Sequence, residues 1–234
     1  FDAPNHNVFD NIYCLELFHG PTLAFKDFGA RFMARCMECF IESLDKEINI
    51  LVATSGDTGS AVAHGFYDVK GVNVTILYPK GKVSDIQEKQ LTTLDKNIYA
   101  LEINGTFDDC QTLVKTAFLD NSLKNKIHLS SANSINIARL IPQSFYYVHS
   151  YLQLENKHIP TIFSVPCGNF GNITAGLITK KMGVPIHQFI ASTNLNDIVP
   201  NFLKTGKYSP KPSLQTISNA MDVGNPSNMA RIMD

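Results

Sequence analysis

The sequence predicts an α/β protein built on mostly parallel sheet. Three observations carry this. Short β-branched runs alternate with longer amphipathic stretches, the junctions between them are rich in Gly, Ser, Thr and Asn, and no internal repeat or low-complexity tract breaks the alternation. Strands separated by helices need crossover connections, which make neighbouring strands parallel and put helices on the sheet faces.

Taken in order, residues 27–44 carry Phe28, Phe32, Met33, Cys36, Met37, Phe40, Ile41 and Leu44 at helical spacing, one broad stripe for packing on a core. The β-branched run 48–52 reads as a buried strand, followed by a small-residue helix through Tyr67 and a second strand over 72–78. Ser84 and Gln87 form a capping box opening a helix to about residue 94. Residues 98–103 read as a strand, and Thr106 with Asp109 starts a helix to about residue 119. A short strand at 127–130 precedes a helical stretch over 135–154, interrupted at Pro142. Strands at 161–165 and 186–192 flank a helix ending near Met182, and a last helix covers 197–204.

Composition narrows the function classes. The 234 residues suffice for one large domain or parts of two. A hydrophobic fraction of 44% with 18% charged residues is that of a soluble globular protein. The 20 basic and 21 acidic residues nearly cancel, so no global field favours nucleic acid or an anionic membrane. No apolar run approaches the roughly 20 residues that cross a bilayer. Cys14, Cys36, Cys39, Cys110 and Cys167 are scattered and odd in number, which fits a reducing compartment rather than a disulfide framework. Cys36 and Cys39 match a CxxC pair, but they fall inside a helix pattern with no second pair, so no metal site is expected. Together with the lack of a targeting segment, the cysteines point to a cytoplasmic location.

Ligands of open α/β sheets collect beyond the carboxyl ends of the strands, where helix N-termini point. Three segments occupy that position. Gly168-Asn169-Phe170-Gly171-Asn172 lies between a strand and a helix, where glycines and free N–H groups suit a phosphate, or simply make a tight turn. Thr54 to Ser60 places four hydroxyls in seven residues at a second strand-to-helix junction. It suits a carboxylate or phosphate, or is an ordinary helix start capped by Ser55 or Asp57; it lacks the Gly-Lys-[Ser/Thr] ending of a nucleotide loop. Ser130-Ser131-Ala132-Asn133-Ser134-Ile135-Asn136 precedes Arg139. With Ser134 as cap, that guanidinium lies near a cluster of hydroxyls and amides fit for an oxyanion; the alternative is a surface arginine on a capped helix. Finally, Lys26 stands between Phe25 and Phe28 at a helix start, where desolvation favours a nucleophilic amine or the stem merely snorkels.

Assembled in order, these motifs resemble the threonine synthase family, in the tryptophan-synthase-β-like (fold type II) group of pyridoxal-phosphate enzymes. Phe18-His19-Gly20-Pro21-Thr22-Leu23-Ala24-Phe25-Lys26-Asp27 is similar to the family's cofactor-lysine motif. Ser55-Gly56-Asp57-Thr58-Gly59 resembles its substrate loop, Ser131-Ala132-Asn133-Ser134-Ile135-Asn136 its next active-site turn, and Gly168-Asn169-Phe170-Gly171-Asn172 the turn for the cofactor phosphate. Ser192-Thr193-Asn194-Leu195-Asn196-Asp197 and Met221-Asp222-Val223-Gly224-Asn225-Pro226-Ser227-Asn228 also resemble family segments.

The resemblance implies pyridoxal 5'-phosphate as cofactor and conversion of O-phosphohomoserine and water to threonine and phosphate, the last step of threonine biosynthesis. Lys26 would be the catalytic, cofactor-bearing lysine. Phe25, Asp57, Gly168, Asn169, Phe170, Gly171 and Asn172 would join it in holding the cofactor. Thr54, Ser55, Thr58, Ser131, Asn133, Ser134, Asn136 and Arg139 would take the substrate's carboxylate and phosphate. A small-molecule substrate, no nucleic acid, no membrane and a monomer or homodimer go with that reading. It also implies a two-domain, parallel-sheet fold whose large domain is incomplete here. Residues 1–45 would belong to that domain, 46–150 to a small α/β domain and 151–234 to the large domain again. This chain alone is therefore expected to be a poor catalyst. Two alternatives stay open: a related lyase releasing phosphate and 2-oxobutyrate, and a non-catalytic module that binds pyridoxal phosphate or phosphate.

Overall fold

Residues near the N-terminus form a hairpin that the sequence pattern does not announce. Strands β1 (Asn5–Phe9) and β2 (Ile12–Leu15) pair antiparallel, with a bulge between Asn7 and Phe9 and Asp10 turning at a φ of 45°. Their side chains are mostly exposed, so no apolar alternation marks them. The computed structural model describes residues 2–41, 47–134 and 136–234. Leu44 and Ile135, expected within helices, lie outside the described residues, as do Phe1 and the expected boundary at 45 and 46.

Two compact units divide the chain: residues 20–139, and residues 1–19 with 140–234. The first opens with helix α1 (Lys26–Ile41), then alternates strand and helix. Strand β3 (Ile48–Ala53) leads to α2 (Asp57–Phe66), β4 (Val72–Pro79) to α3 (Asp85–Thr92), and β5 (Ile98–Ile103) to α4 (Phe107–Leu119). The one-turn α5 (Asn121–Lys124), β6 (His128–Ser131) and α6 (Ile137–Leu140) follow. The strands make one parallel sheet in the order β5-β4-β3-β6, as the alternation predicts. Both capping boxes form, Ser84 with Gln87 and Thr106 with Asp109.

One face of the sheet carries Ile50, Val52, Val74 and Ile76 against Ala30, Met33, Ala61, Val62 and Phe66. The other packs Ala53 and Leu77 on Cys110 and Val114 of α4. Cover on both sides explains why the strands read as continuous apolar runs. Phe66 is wholly buried, a burial worth about 1.5–3 kcal/mol. Helices α1 and α2 approach closely at Gly65, where a Cβ would stand 3.0 Å from the Ala30 carbonyl carbon. That packing binds the lysine helix to the four-stranded sheet. The compact unit accordingly begins at Gly20 and ends at Arg139.

In the second unit the predicted interruption at Pro142 is a 3₁₀ turn, Ile141–Gln143, followed by α7 (Ser144–Leu152). Strand β7 (Thr161–Pro166) leads to α8 (Gly171–Lys181), β8 (Ile186–Ser192) to α9 (Ile198–Thr205), and the short α10 (Met229–Met233) comes last. Strands β7 and β8 pair in parallel. The Tyr147 ring meets Phe163 at 5.0 Å and Phe189 at 5.7 Å between centroids. Gly176 of α8 makes room for them, since a Cβ there would stand 2.7 Å from both Tyr147 and Phe189. The hairpin is tied to α7 through Asn5, which donates to the Ser150 carbonyl at 2.7 Å and receives the Ser150 hydroxyl at 2.8 Å.

Candidate active site

Lys26 is the first residue of α1, and the turn before it is built to present it. Asp27 is fully buried and accepts from the Thr22 N–H at 3.0 Å and the Thr22 hydroxyl at 2.6 Å. Gly20 admits that carboxylate, because a Cβ would stand 2.3 Å from Asp27 Oδ2. A buried charge needs such donors. With the turn closed on Asp27, the Lys26 side chain stays 15% exposed, its Nζ 5.5 Å from the Phe25 ring centroid and 3.5 Å from Asp57 Oδ2. Thr22, Gly20 and Asp27 were missed as supporting residues, although all three lie in the motif from Phe18 to Asp27 around the lysine.

The Thr54 to Ser60 loop follows β3. Thr54 is buried, and its hydroxyl accepts from the N–H groups of Gly56 (2.9 Å) and Gly59 (2.8 Å) while donating to the Gly56 carbonyl (3.0 Å). It therefore shapes the loop from within. The cap of α2 is Gly56 at a φ of 136°, not Ser55 or Asp57, and Asp57 is the first helical residue. A φ in this range strongly favours glycine. Asp57 Oδ1 accepts from Gln87 Nε2 at 2.7 Å. The half-buried Thr58 hydroxyl makes no hydrogen bond within the protein among the described residues, so it is available to a ligand.

The turn after β6 lies beside that loop, because β6 is β3's neighbour in the sheet. Asn133 extends the ladder with its side chain, donating to the Ala53 carbonyl at 2.7 Å and accepting the Ala53 N–H at 3.3 Å. The Ser131 hydroxyl donates to Asn133 Oδ1 and accepts the Asn133 N–H. Asn136 bridges the Ser131 carbonyl and the Ala138 N–H, doing the capping expected of Ser134. Arg139 is not a surface arginine: it is 1% exposed and its Nη1 donates to the Ala132 carbonyl at 2.5 Å, holding the turn in shape. Lys26, Thr54, Asp57, Ser131 and Asn133 thus share one rim at the carboxyl ends of β3 and β6.

Gly168 to Asn172 lies in the other unit, between β7 and α8. Phe170 caps the helix at a φ of 58°, and the N–H groups of Gly168, Phe170, Gly171 and Asn172 have no protein acceptor among the described residues. Such N–H groups, with the positive end of the helix dipole, make an anion cradle. The side-chain oxygens of the two asparagines are occupied elsewhere. Asn169 Oδ1 accepts from the Ser227 N–H (2.6 Å) and hydroxyl (2.9 Å), and the Tyr147 hydroxyl reaches Asn172 Oδ1 at 2.5 Å. Backbone N–H groups thus supply donors to the cradle, and the Asn172 side-chain amide nitrogen makes no hydrogen bond among the described residues. Gly168 packs on Met221, whose Cα would be 2.7 Å from an added Cβ. Burial pushes the neighbouring Cys167 thiol up to about 12.

A second network steadies the segment around Met221. Asp222 Oδ1 accepts from Asn194 Nδ2 (2.8 Å), Asn196 Nδ2 (3.2 Å) and the Thr216 hydroxyl (2.7 Å), and its Oδ2 from the Thr216 N–H (2.8 Å). Asn194, Asn196 and Asp222 belong to the two outlying motifs, so those motifs, with Thr216 between them, brace the turn. Gln87, Tyr147, Ser227 and Asn228 were missed as site residues. For Gln87 the only sequence signal was its capping box; Ser227 and Asn228 stood in the motif from Met221 to Asn228 without an assigned role, and Tyr147 carried no signal.

A family model described as pyridoxal-phosphate dependent enzyme matches residues 2–234. The chain is 58% identical over 223 residues to threonine synthase of Buchnera aphidicola subsp. Schizaphis graminum, covering 95% of this chain and 52% of that protein. It is 54% identical over 233 residues to threonine synthase of Escherichia coli, covering 99% and 54%. Among solved structures it is similar to threonine synthase from Escherichia coli, with a TM-score of 0.94, 52% identity, and coverage of 100% of this chain and 54% of that one. Pyridoxal-phosphate-bound threonine synthase from Brucella melitensis superposes with a TM-score of 0.89 at 42% identity, covering 99% and 50%. The chain spans about half the length of the curated relatives it matches. With the match running through residue 234, the chain belongs to the pyridoxal-phosphate dependent enzyme family.

Proposed function

We propose that the protein carrying this chain is a threonine synthase, converting O-phosphohomoserine and water to threonine and phosphate. The observation that carries the reading is the Lys26 amine, largely shielded and 3.5 Å from Asp57, at the carboxyl ends of parallel strands. The threonine synthase relatives support the choice of substrate.

The residues fit the cofactor. Four N–H groups at the start of α8 suit its phosphate monoester without a charged side chain. Bound pyridoxal phosphate supplies an electron sink for carbanion chemistry at the substrate's carbons. Lys26 is the amine that would anchor the cofactor and would carry protons between neighbouring carbons of the substrate. Asp57 sets a carboxylate oxygen 3.5 Å from that amine. Thr58 offers a donor for the substrate's anionic groups, Ser55 and Ser134 stand on the same two turns, and Thr54, Ser131, Asn133, Asn136 and Arg139 hold the rim that presents them. In this reading residues 1–19 and 140–234 belong to the domain that holds the cofactor phosphate, and 20–139 to the domain that brings lysine and substrate donors. A cytoplasmic setting agrees with five free thiols.

The test is to incubate the intact gene product with pyridoxal phosphate and O-phosphohomoserine and identify the products. Threonine and phosphate in equal amounts are expected. Phosphate with 2-oxobutyrate would overturn the synthase in favour of a lyase, and cofactor binding that survives Lys26→Ala without turnover in the parent would favour a non-catalytic module.

A further inference from the structure

We propose that Gln87 is a positioning residue for the Lys26 amine, acting through Asp57. The proposal rests on reading Lys26 as the cofactor lysine. Gln87 sits in the first turn of α3, outside the three turns and the lysine motif that the sequence singles out. Its side-chain oxygen accepts from the Ser84 N–H at 3.0 Å and the Ser84 hydroxyl at 3.1 Å. A backbone N–H can only donate, so the amide oxygen must face Ser84 and the amide nitrogen must face away. That nitrogen donates to Asp57 Oδ1 at 2.7 Å, leaving Oδ2 as the carboxylate oxygen that meets Lys26 Nζ at 3.5 Å.

The capping box thereby fixes more than a helix end. Its backbone arm, the Ser84 N–H, orients the amide, the amide fixes the rotation of the Asp57 carboxylate, and the carboxylate sets which oxygen faces the amine. A neutral donor matters here. Gln87 holds Asp57 without neutralising it, whereas an arginine or lysine at that place would draw the charge away from Lys26. The loop is shaped for the contact: a Cβ on Gly56 would stand 2.4 Å from Gln87 Cδ, so glycine admits the amide to Asp57.

Two variants of the intact protein separate positioning from capping. Gln87→Glu keeps an oxygen for Ser84 but sets a carboxylate against Asp57. Ser84→Ala removes the capping hydroxyl but leaves the Ser84 N–H and the amide's contact with Asp57. The first readout is the rate at which the Lys26 amine of cofactor-free protein is reductively methylated, followed by peptide mass spectrometry against exposed Lys115. Gln87→Glu should slow Lys26 relative to Lys115 by about threefold or more, since an added carboxylate favours the charged amine. It should also lower kcat about tenfold with KM within about threefold, the mark of a misplaced group rather than lost binding. Ser84→Ala should change neither. Unaltered Lys26 reactivity in Gln87→Glu, unaltered kcat in that variant, or equal effects from Ser84→Ala would each overturn the proposal. If the unsubstituted protein fails to carry the cofactor on Lys26, the catalytic reading falls instead, and the methylation rates still judge the Gln87 contact.

Discussion

Asn228, wholly buried, donates its side-chain amide to the backbone carbonyl of Asn169 at 3.0 Å, joining two residues 59 positions apart. With Ser227 on the Asn169 side chain and Met221 against Gly168, this bond holds the turn whose N–H groups form the anion cradle. The cradle is a conformation imposed from outside the motif.

Asn228→Ala should therefore weaken cofactor binding without touching the cofactor. Loss of one buried hydrogen bond with an unsatisfied carbonyl costs about 1–3 kcal/mol, so the Kd for pyridoxal phosphate should rise about tenfold. Equilibrium dialysis of the intact protein reads it. An unchanged Kd would mean that the turn keeps its shape alone.

Lys26→Ala should abolish covalent attachment of the cofactor. Borohydride reduction followed by peptide mapping should find the label on Lys26 in the parent and on no lysine in the variant, with kcat down by at least about a thousandfold. Label on another lysine would show that the anchoring residue lies elsewhere.

Thr22→Val should destabilise the unit that presents Lys26. It strips the Asp27 carboxylate of its hydroxyl donor at 2.6 Å in a fully buried place, at a cost of about 1.5–3 kcal/mol. Urea unfolding shows this as a lower midpoint with an unchanged slope. A midpoint equal to that of the parent would show that the Thr22 N–H satisfies the carboxylate by itself.

His64, on α2, gives a pH signature. Burial lowers its imidazole below the ordinary 6.5, with the charge of Asp27 pulling the other way. The unfolded chain thus takes up a proton before the folded one as pH falls. The stability from a neutral His64 is present above 6.5 and is lost as pH drops from there toward the folded value. Urea midpoints measured from about pH 7.5 to about pH 5.5 should fall, and His64→Gln should flatten part of that fall. Parallel curves for parent and variant would assign the loss to other groups.

Thiol reactivity should divide the cysteines. Burial pushes Cys110 up to about 11 and Cys167 up to about 12, so neither offers thiolate near neutrality, while Cys14 and Cys39 are exposed. Brief iodoacetamide treatment of native protein should label Cys14 and Cys39 and spare Cys110 and Cys167. Early labelling of Cys167 would mean that the cradle opens.

What the residues determine by themselves is local in origin. Strand and helix alternate because β-branched runs and 3.6-residue stripes favour those states wherever they sit, and Ser84 with Gln87 or Thr106 with Asp109 cap helices through contacts three residues apart. The site was legible to the same depth: glycine- and hydroxyl-rich junctions after β3, β6 and β7, and a lysine between phenylalanines at a helix start. Tertiary structure decided which side chains are committed to bracing the fold. Thr54 and Arg139 read as ligand donors; in the folded chain the Thr54 hydroxyl bonds within its own loop, and Arg139 is buried with Nη1 on the Ala132 carbonyl. Gln87 reaches Asp57 across 30 residues and Asn228 reaches Asn169 across 59. No spacing rule spans such distances, since a long-range hydrogen bond depends on where two elements have packed and not on the residues between them.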